Sequence, residues 1–305
     1  MFRHGFQNQF YLSLNWVRNA SSHIAVSGRQ RYFERKRPEK HAMTEPILVE
    51  WADGDDAGIV TVVLNRPEKL NALTKAMWGR LGEVMTELSA DDTVRCIIVR
   101  GAGEQSFSPG NDISEFETDR SNVEQAEAYG AFMHQTIDAF KACRHPIVAM
   151  IHGICVGGGL EIAGLCDIRI CGESSRFGAP ISKLGLVMAY PEIGALAGLV
   201  GRHTALEILL EGCVFDAEEA KAKGLVNRVV ADGDVEEEAR ATARRIAEGA
   251  PLVHRWHKQF LNRLDDPTPL SQAELKEGFA CYDTEDFRVG YKAFLEKKKP
   301  RFTGR

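Results

Sequence analysis

A glutamate standing two residues after three consecutive glycines is the arrangement in this chain best suited to chemistry. Ile147 to Ile151 is apolar, rich in β-branched residues, and reads as a buried strand. Gly157, Gly158 and Gly159 follow, and they let backbone approach a ligand where a side chain would block it. If a helix starts there, its first N–H groups lack partners and point at whatever sits above them. Glu161 then lies one turn in, placed to handle a proton at that ligand. Two N–H donors converging on one carbonyl oxygen would form an oxyanion hole. The second donor is available in Ser108-Pro109-Gly110-Asn111-Asp112, where Gly110 permits a tight backbone and the Asn111 N–H can turn inward. The glycine run also resembles half of a phosphate-binding fingerprint, but it lacks the spacing and lysine of a P-loop. Close packing and an ordinary loop are the plain alternatives for the two segments.

Asn65 to Thr74 lies between a strand and a helix, where loops often line ligand sites. A plain turn with Thr74 as helix cap is the competing reading. Asp112 suits a capping or fold-holding role better than acid–base work. His145 and His152 flank the buried strand and read as packed histidines. No His/Cys cluster has metal-ligand spacing, so no metal is expected.

The elements that must position these groups alternate. Ile59 to Leu64 and Cys96 to Arg100 read as buried strands, as do Asp167 to Cys171 and Leu225 to Val230. Thr74 caps a helix to about Ser89, with Met77, Leu81, Val84, Met85 and Leu88 on one face. Further helices are expected near 121–142, 192–200, 203–211 and 216–222. Beyond Asp234 the pattern is wholly helical, over about 234–249, 251–264, 271–281 and 284–297. This predicts an α/β core at 43–233 and a helical C-terminal subdomain at 234–305.

The 305 residues suffice for a sizeable core, with 44% hydrophobic and 27% charged residues. The longest apolar stretch, Ile147 to Leu160, is too short and interrupted to span a bilayer, and no membrane partner is expected. Seven cysteines without a Cys-x-x-Cys pair suit a reducing compartment. Residues 1–42 carry eight Lys/Arg against Glu34 and Glu39, while the remainder is acidic within a net charge of −5. An acidic body argues against nucleic-acid binding. Residues 1–42 read as a presequence, a disordered arm, or an extension upstream of the start-like Met43-Thr44-Glu45-Pro46, the last being preferred. The expected location is the cytoplasm, or the mitochondrion if the segment is a presequence.

Six strings occur in order: Asn65-Arg66-Pro67-Glu68-Lys69-Leu70-Asn71-Ala72-Leu73, Phe107-Ser108-Pro109-Gly110-Asn111-Asp112-Ile113, Gly157-Gly158-Gly159-Leu160-Glu161-Ile162-Ala163, Cys166-Asp167-Ile168-Arg169-Ile170, Phe177-Gly178-Ala179-Pro180, and Gly224 to Val230. Together with the closing segment from Thr284 to Pro300 they resemble the enoyl-CoA hydratase/isomerase (crotonase) superfamily over roughly 46–303. The resemblance implies an α/β spiral of ββα units with a C-terminal helical trimerisation subdomain, as a homotrimer or dimer of trimers. It implies an acyl-CoA thioester substrate, with coenzyme A arriving as part of it and no separate cofactor. The family's oxyanion hole falls on the N–H groups of Asn111 and Gly158, and its acid–base glutamate on Glu161. Substrate contacts are implied at Lys69, Leu70, Ala72, Asp112, Ile113 and Gly157. Phe294 and Lys297 match a region that reaches a neighbouring subunit's nucleotide.

One position departs from the pattern. Typical hydratases of the family carry a second glutamate after Phe-Gly-x-Pro, and here Ile181 stands there. Two acid–base groups let one activate water while the other serves the α-carbon. Three readings stay open: Glu161 performs both proton steps, Glu192 or Tyr190 substitutes, or the chemistry needs one base. For Glu192 the plain alternative is a carboxylate favoured by a helix N-terminus. For Tyr190 it is a loop anchor. The expected activity is hydration of a trans-2-enoyl-CoA or its reverse. An enoyl-CoA isomerase, a thioester hydrolase or decarboxylase of the same fold, and a catalytically weak acyl-CoA-binding protein are the alternatives. RNA binding would call for a lysine-rich first helix, and Thr74 to Ser89 holds only Lys75 and Arg80.

Overall fold

The computed structural model describes residues 45–305, so the expectations for 1–42 lie outside the described residues. In chain order the elements are β1 (Ile47–Trp51), β2 (Ile59–Leu64), α1 (Lys75–Ala90), β3 (Cys96–Gly101), β4 (Ser106–Ser108), α2 (Phe116–Asp119), α3 (Val123–Ala142), β5 (Ile147–Ile151), β6 (Ile154–Val156) and α4 (Gly158–Leu165). They continue with β7 (Ile168–Gly172), β8 (Arg176–Gly178), α5 (Tyr190–Glu211), β9 (Val214–Asp216), α6 (Ala217–Ala222), β10 (Arg228–Val230), α7 (Val235–Ala247), α8 (Pro251–Leu264), α9 (Gln272–Glu277) and α10 (Glu285–Leu295).

The repeating unit is strand, strand, helix. β5, β6 and α4 form one unit, and β7, β8 and α5 the next. The first strand of each joins a six-stranded sheet ordered β1-β2-β3-β5-β7-β10, and the second joins a four-stranded sheet ordered β4-β6-β8-β9. Pairing is parallel except at β1/β2 and β8/β9. The mixed α/β spiral of ββα units is therefore present.

β2 reads Ile-Val-Thr-Val-Val-Leu and is buried at every position, as expected of a sheet covered on both faces. On one face lies the main core, built with α1, α3, α4 and α5. α1 begins where the Thr74 hydroxyl accepts from the Met77 N–H at 3.2 Å. Its buried stripe of Met77, Trp78, Leu81, Val84, Met85 and Leu88 follows helical spacing. Each such side chain contributes roughly 1.5–3 kcal/mol through burial. On the other face Val235, Ala239 and Ala243 of α7 pack over Ile59, Ile98, Val148 and Ile170. α7 thus covers the large sheet, and the helices that stand off the core begin after it. Those helices, α8 to α10, fit a trimerisation subdomain.

Several boundaries differ from expectation. The strand expected from Leu225 is confined to β10, because Asn227 and Leu225 accept hydrogen bonds from Arg169, the Asn227 side chain at 2.8 Å from its N–H and the Leu225 carbonyl at 2.7 Å from its Nε. The helix expected to 281 stops at Glu277 and gives way to a 3-10 turn at Ala280–Asp283. Gly201, at φ 77°, takes non-helical backbone and divides α5 where two helices were expected. The four strands of the smaller sheet were missed, each being only three residues long.

Candidate active site

Two loops meet where the sequence placed the oxyanion hole. Leu73 donates to the Gly110 carbonyl at 2.8 Å, and Asp112 donates to the Leu73 carbonyl at 2.8 Å. Because the peptide is trans and planar, the Asn111 N–H points opposite to the Gly110 carbonyl, away from Leu73. On that far side is α4. A Cβ on Gly110, which sits at φ 101°, would come within 2.9 Å of the Gly158 nitrogen. A Cβ on Gly159 would overlap the Ser108 carbonyl oxygen, so glycine is needed for this approach of helix to strand. Gly157 caps α4, and its own N–H is spent on the Gly178 carbonyl at 2.9 Å. The Gly158 N–H is the first of the helix, and no acceptor for it or for the Asn111 N–H is found among the described residues.

The Asn111 side chain is turned back into the fold. Its Oδ1 accepts from Trp78 Nε1 at 2.7 Å, so α1 braces the loop that carries Asn111. Ser108 Oγ donates to the Asn71 carbonyl at 2.9 Å and accepts from the Gly110 N–H at 3.1 Å. Buried Asn71 spans to the Ala102 and Ser106 carbonyls at 3.1 and 2.8 Å. Asp112 holds the structure: its carboxylate receives Ser114 N–H and Oγ–H and pairs with Arg66 at 3.0 Å. The Ser114 hydrogen bond, then Arg66, keep its carboxyl below the usual range. Trp78, Ser108 and Asn71 were not singled out from the sequence, since a tryptophan on a helix stripe reads as core and a loop asparagine as a turn residue.

Glu161 lies three residues after Gly158, on the same helix face. It lines a narrow cavity with Glu192 and the apolar Leu160, Met188, Leu196 and Leu225. The cavity volume is about 10 Å³, room for a single water molecule. Burial pushes the Glu161 carboxyl up to about 8, the Glu192 charge adds to this, and Arg120 opposes it. Glu192 sits in the first turn of α5 but is only 6% exposed. Its Oε1 lies 3.4 Å from His134 Nε2. The buried Oε2 atoms of Glu161 and of Glu192 both lack a partner among the described residues.

Other sequence candidates separate. Tyr190 is 93% exposed and does not line the cavity. Ile181 packs against the main core, so the position of the family's second glutamate is apolar. His145 is buried, and burial pushes it down to about 4, which keeps it neutral. Burial pushes the thiols of Cys96, Cys155 and Cys166 up, which disfavours thiolate chemistry there. Leu70 closes the 3-10 turn at Pro67–Lys69 in left-handed backbone, with Ala72 next to buried Leu73. Ile113 is exposed beside Asp112, and Phe294 is exposed near the end of α10, three residues before Lys297.

The family model described as enoyl-CoA hydratase/isomerase matches residues 54–305. A probable enoyl-CoA hydratase of Mycobacterium tuberculosis is 35% identical over 264 residues, covering 86% of this chain and 99% of its own. A 1,2-epoxyphenylacetyl-CoA isomerase of Escherichia coli is 30% identical, covering 82% and 97%. Among solved structures, an enoyl-CoA hydratase/carnithine racemase from Magnetospirillum magneticum superposes with a TM-score of 0.83 at 50% identity, covering 86% and 96%.

Proposed function

Because the chain belongs to the enoyl-CoA hydratase/isomerase family, we propose that it adds water to a trans-2-enoyl-CoA thioester, or removes it in reverse, with Glu161 and Glu192 sharing the proton work. The observation that carries this reading is that these two glutamates line one water-sized cavity, with Glu161 a helical turn from the unpaired Gly158 amide. The thioester carbonyl oxygen sits between the N–H groups of Asn111 and Gly158. At neutral pH Glu161 holds its proton and Glu192 is the base. Water attacks the β-carbon and gives a proton to Glu192. The electron pair moves to the carbonyl oxygen as an enolate, which the two amides stabilise by about 3 kcal/mol each. Glu161 then protonates the α-carbon, and the carbonyl re-forms. One proton has passed from water to Glu192 and one from Glu161 to the product, so the pair has exchanged roles, which a proton transfer from Glu192 to Glu161 resets. Lys69, Leu70, Ala72 and Ile113 would contact the coenzyme A portion.

The test is loss of conjugated-enoyl absorbance with crotonyl-CoA, run beside Glu161→Gln. Turnover abolished by the substitution supports hydration. Wild type that binds crotonyl-CoA without turning it over overturns it.

A second reading is isomerisation, favoured by the apolar Ile181 and by a relative named as an isomerase. Then a 3-enoyl-CoA would gain conjugation without gaining water. For assembly we propose a trimer or a dimer of trimers, supported by exposed Leu261 and Leu264 of α8 and Phe294 and Leu295 of α10. In such an assembly Phe294 and Lys297 would reach a neighbouring subunit's nucleotide.

A further inference from the structure

His134 and Glu192 each bury a polar atom that has no hydrogen-bond partner among the described residues, Nε2 of the one and Oε2 of the other. The two side chains meet, with His134 Nε2 3.4 Å from Glu192 Oε1. That is just beyond an ordinary N–H···O bond and too close for a water to stand between. A buried donor left unpaired is costly, and a small side-chain movement that shortens this contact gives Nε2 its acceptor. Catalytic hydrogen bonds are often long in a free enzyme and tighten once substrate is bound. Nε2 can donate as imidazolium and in one of its two neutral tautomers.

The helix that carries His134 reaches both halves of the site. α3 packs against α4 and α5, which hold Glu161 and Glu192. Tyr129, Met133, Thr136, Ile137 and Phe140 form its buried stripe. His134 stands on the margin of that stripe, 38% exposed, with Nε2 closed off from solvent. The preceding residue touches the other half: the Asn111 side-chain amide donates to Met133 Sδ at 3.9 Å. Glu192 stands in the first turn of α5, yet no amide of that turn holds its Oε2. His134 is therefore the polar group that meets this carboxyl from a neighbouring helix.

We propose that His134 is a positioning residue for Glu192: its Nε2–H donates to Oε1 and leaves Oε2 to take the proton of the attacking water. This rests on the proposed role of Glu192 as the base. In this role His134 touches neither substrate nor reacting atoms. The proton passes from water to Oε2, and the imidazole keeps its own.

His134→Phe keeps a ring without the donor, and His134→Gln keeps a donor without the ring. With saturating crotonyl-CoA, His134→Phe is expected to lower kcat by about tenfold or more, the worth of a hydrogen bond to a charged group, with KM within about threefold. His134→Gln is expected to lose less kcat than His134→Phe. A ring that merely fills space gives the opposite order, which overturns the proposal. Adding His134→Phe to Glu192→Gln is expected to change kcat by no more than about threefold, because the histidine acts through the glutamate. Losses that multiply in the double variant overturn the proposal, as does a His134→Phe enzyme with wild-type kcat. Denaturant unfolding of the same four proteins gives a readout independent of turnover. The effect of His134→Phe on stability is expected to differ between wild type and Glu192→Gln, and equal effects overturn the contact. If wild type does not hydrate crotonyl-CoA, the hydratase reading fails whatever His134 does, and the unfolding cycle alone decides the His134–Glu192 contact.

Discussion

Glu161 and Glu192 come from different helices, α4 and α5, and turn their carboxyls toward the same cavity, where the charge on Glu192 helps keep the proton on Glu161. Two carboxyls at one cavity, with the Glu161 carboxyl raised to about 8, suit acid–base chemistry at neutral pH. The relationship offers a replacement for the glutamate that is absent at Ile181.

The pH dependence follows from this pair. Hydration needs Glu161 protonated, and its carboxyl is raised to about 8. Crotonyl-CoA hydration is expected to hold its rate through neutrality and to fall as pH rises through about 8. A pH–kcat profile checks this, and a rate still rising at pH 9 would count against it.

Glu161 should also cost the fold stability. Its folded-state pKa lies above the unfolded value, so in the native state it binds a proton that the unfolded chain has released. The cost is absent below about pH 4 and grows as pH rises toward about 8. Glu161→Gln is therefore expected to stabilise the protein by roughly 1–3 kcal/mol at pH 7 to 8 and by little near pH 4. Denaturant unfolding at both pH values measures this, with equal effects at the two contradicting it.

Trp78 is expected to act on the reaction without touching substrate. Trp78→Phe keeps most of the apolar volume but removes the donor to Asn111 Oδ1. Leaving that oxygen without its partner should cost about 1–2 kcal/mol of stability and lower kcat roughly tenfold through a loosened Asn111 amide. Crotonyl-CoA kinetics beside thermal unfolding distinguish this from plain core damage, in which Tm alone would fall.

Assembly is testable through α8. Leu261 and Leu264 are 67% and 62% exposed on the single chain. Sedimentation of the wild type is expected to give a multiple of three 33.8 kDa chains, and Leu264→Asp to release smaller species. A monomeric wild type would remove the proposed role of Phe294 and Lys297 across subunits.

Much of the site was legible in the sequence because it is built from backbone. Gly110 and the run from Gly157 to Gly159 announce close approach, and Glu161 follows at helical spacing. Its limits are equally physical. Glu192 could be placed at a helix start from its neighbours, but only the packing of α5 against α4 turns its carboxyl inward. The Trp78–Asn111 bond joins two elements far apart in the chain, and no local pattern signals it. α7 read as part of the C-terminal helices because its amphipathic pattern does not say which surface it covers. Its small residues Ala239 and Ala243 in fact lie against the sheet.

The most direct test of the central claim is crotonyl-CoA hydration by wild type, Glu161→Gln and Glu192→Gln at saturating substrate. Each substitution is expected to lower kcat by at least about 10²-fold while leaving KM within about threefold, because both remove proton transfer rather than binding. A Glu192→Gln enzyme that keeps wild-type kcat would contradict the two-carboxyl account and leave Glu161 to work alone.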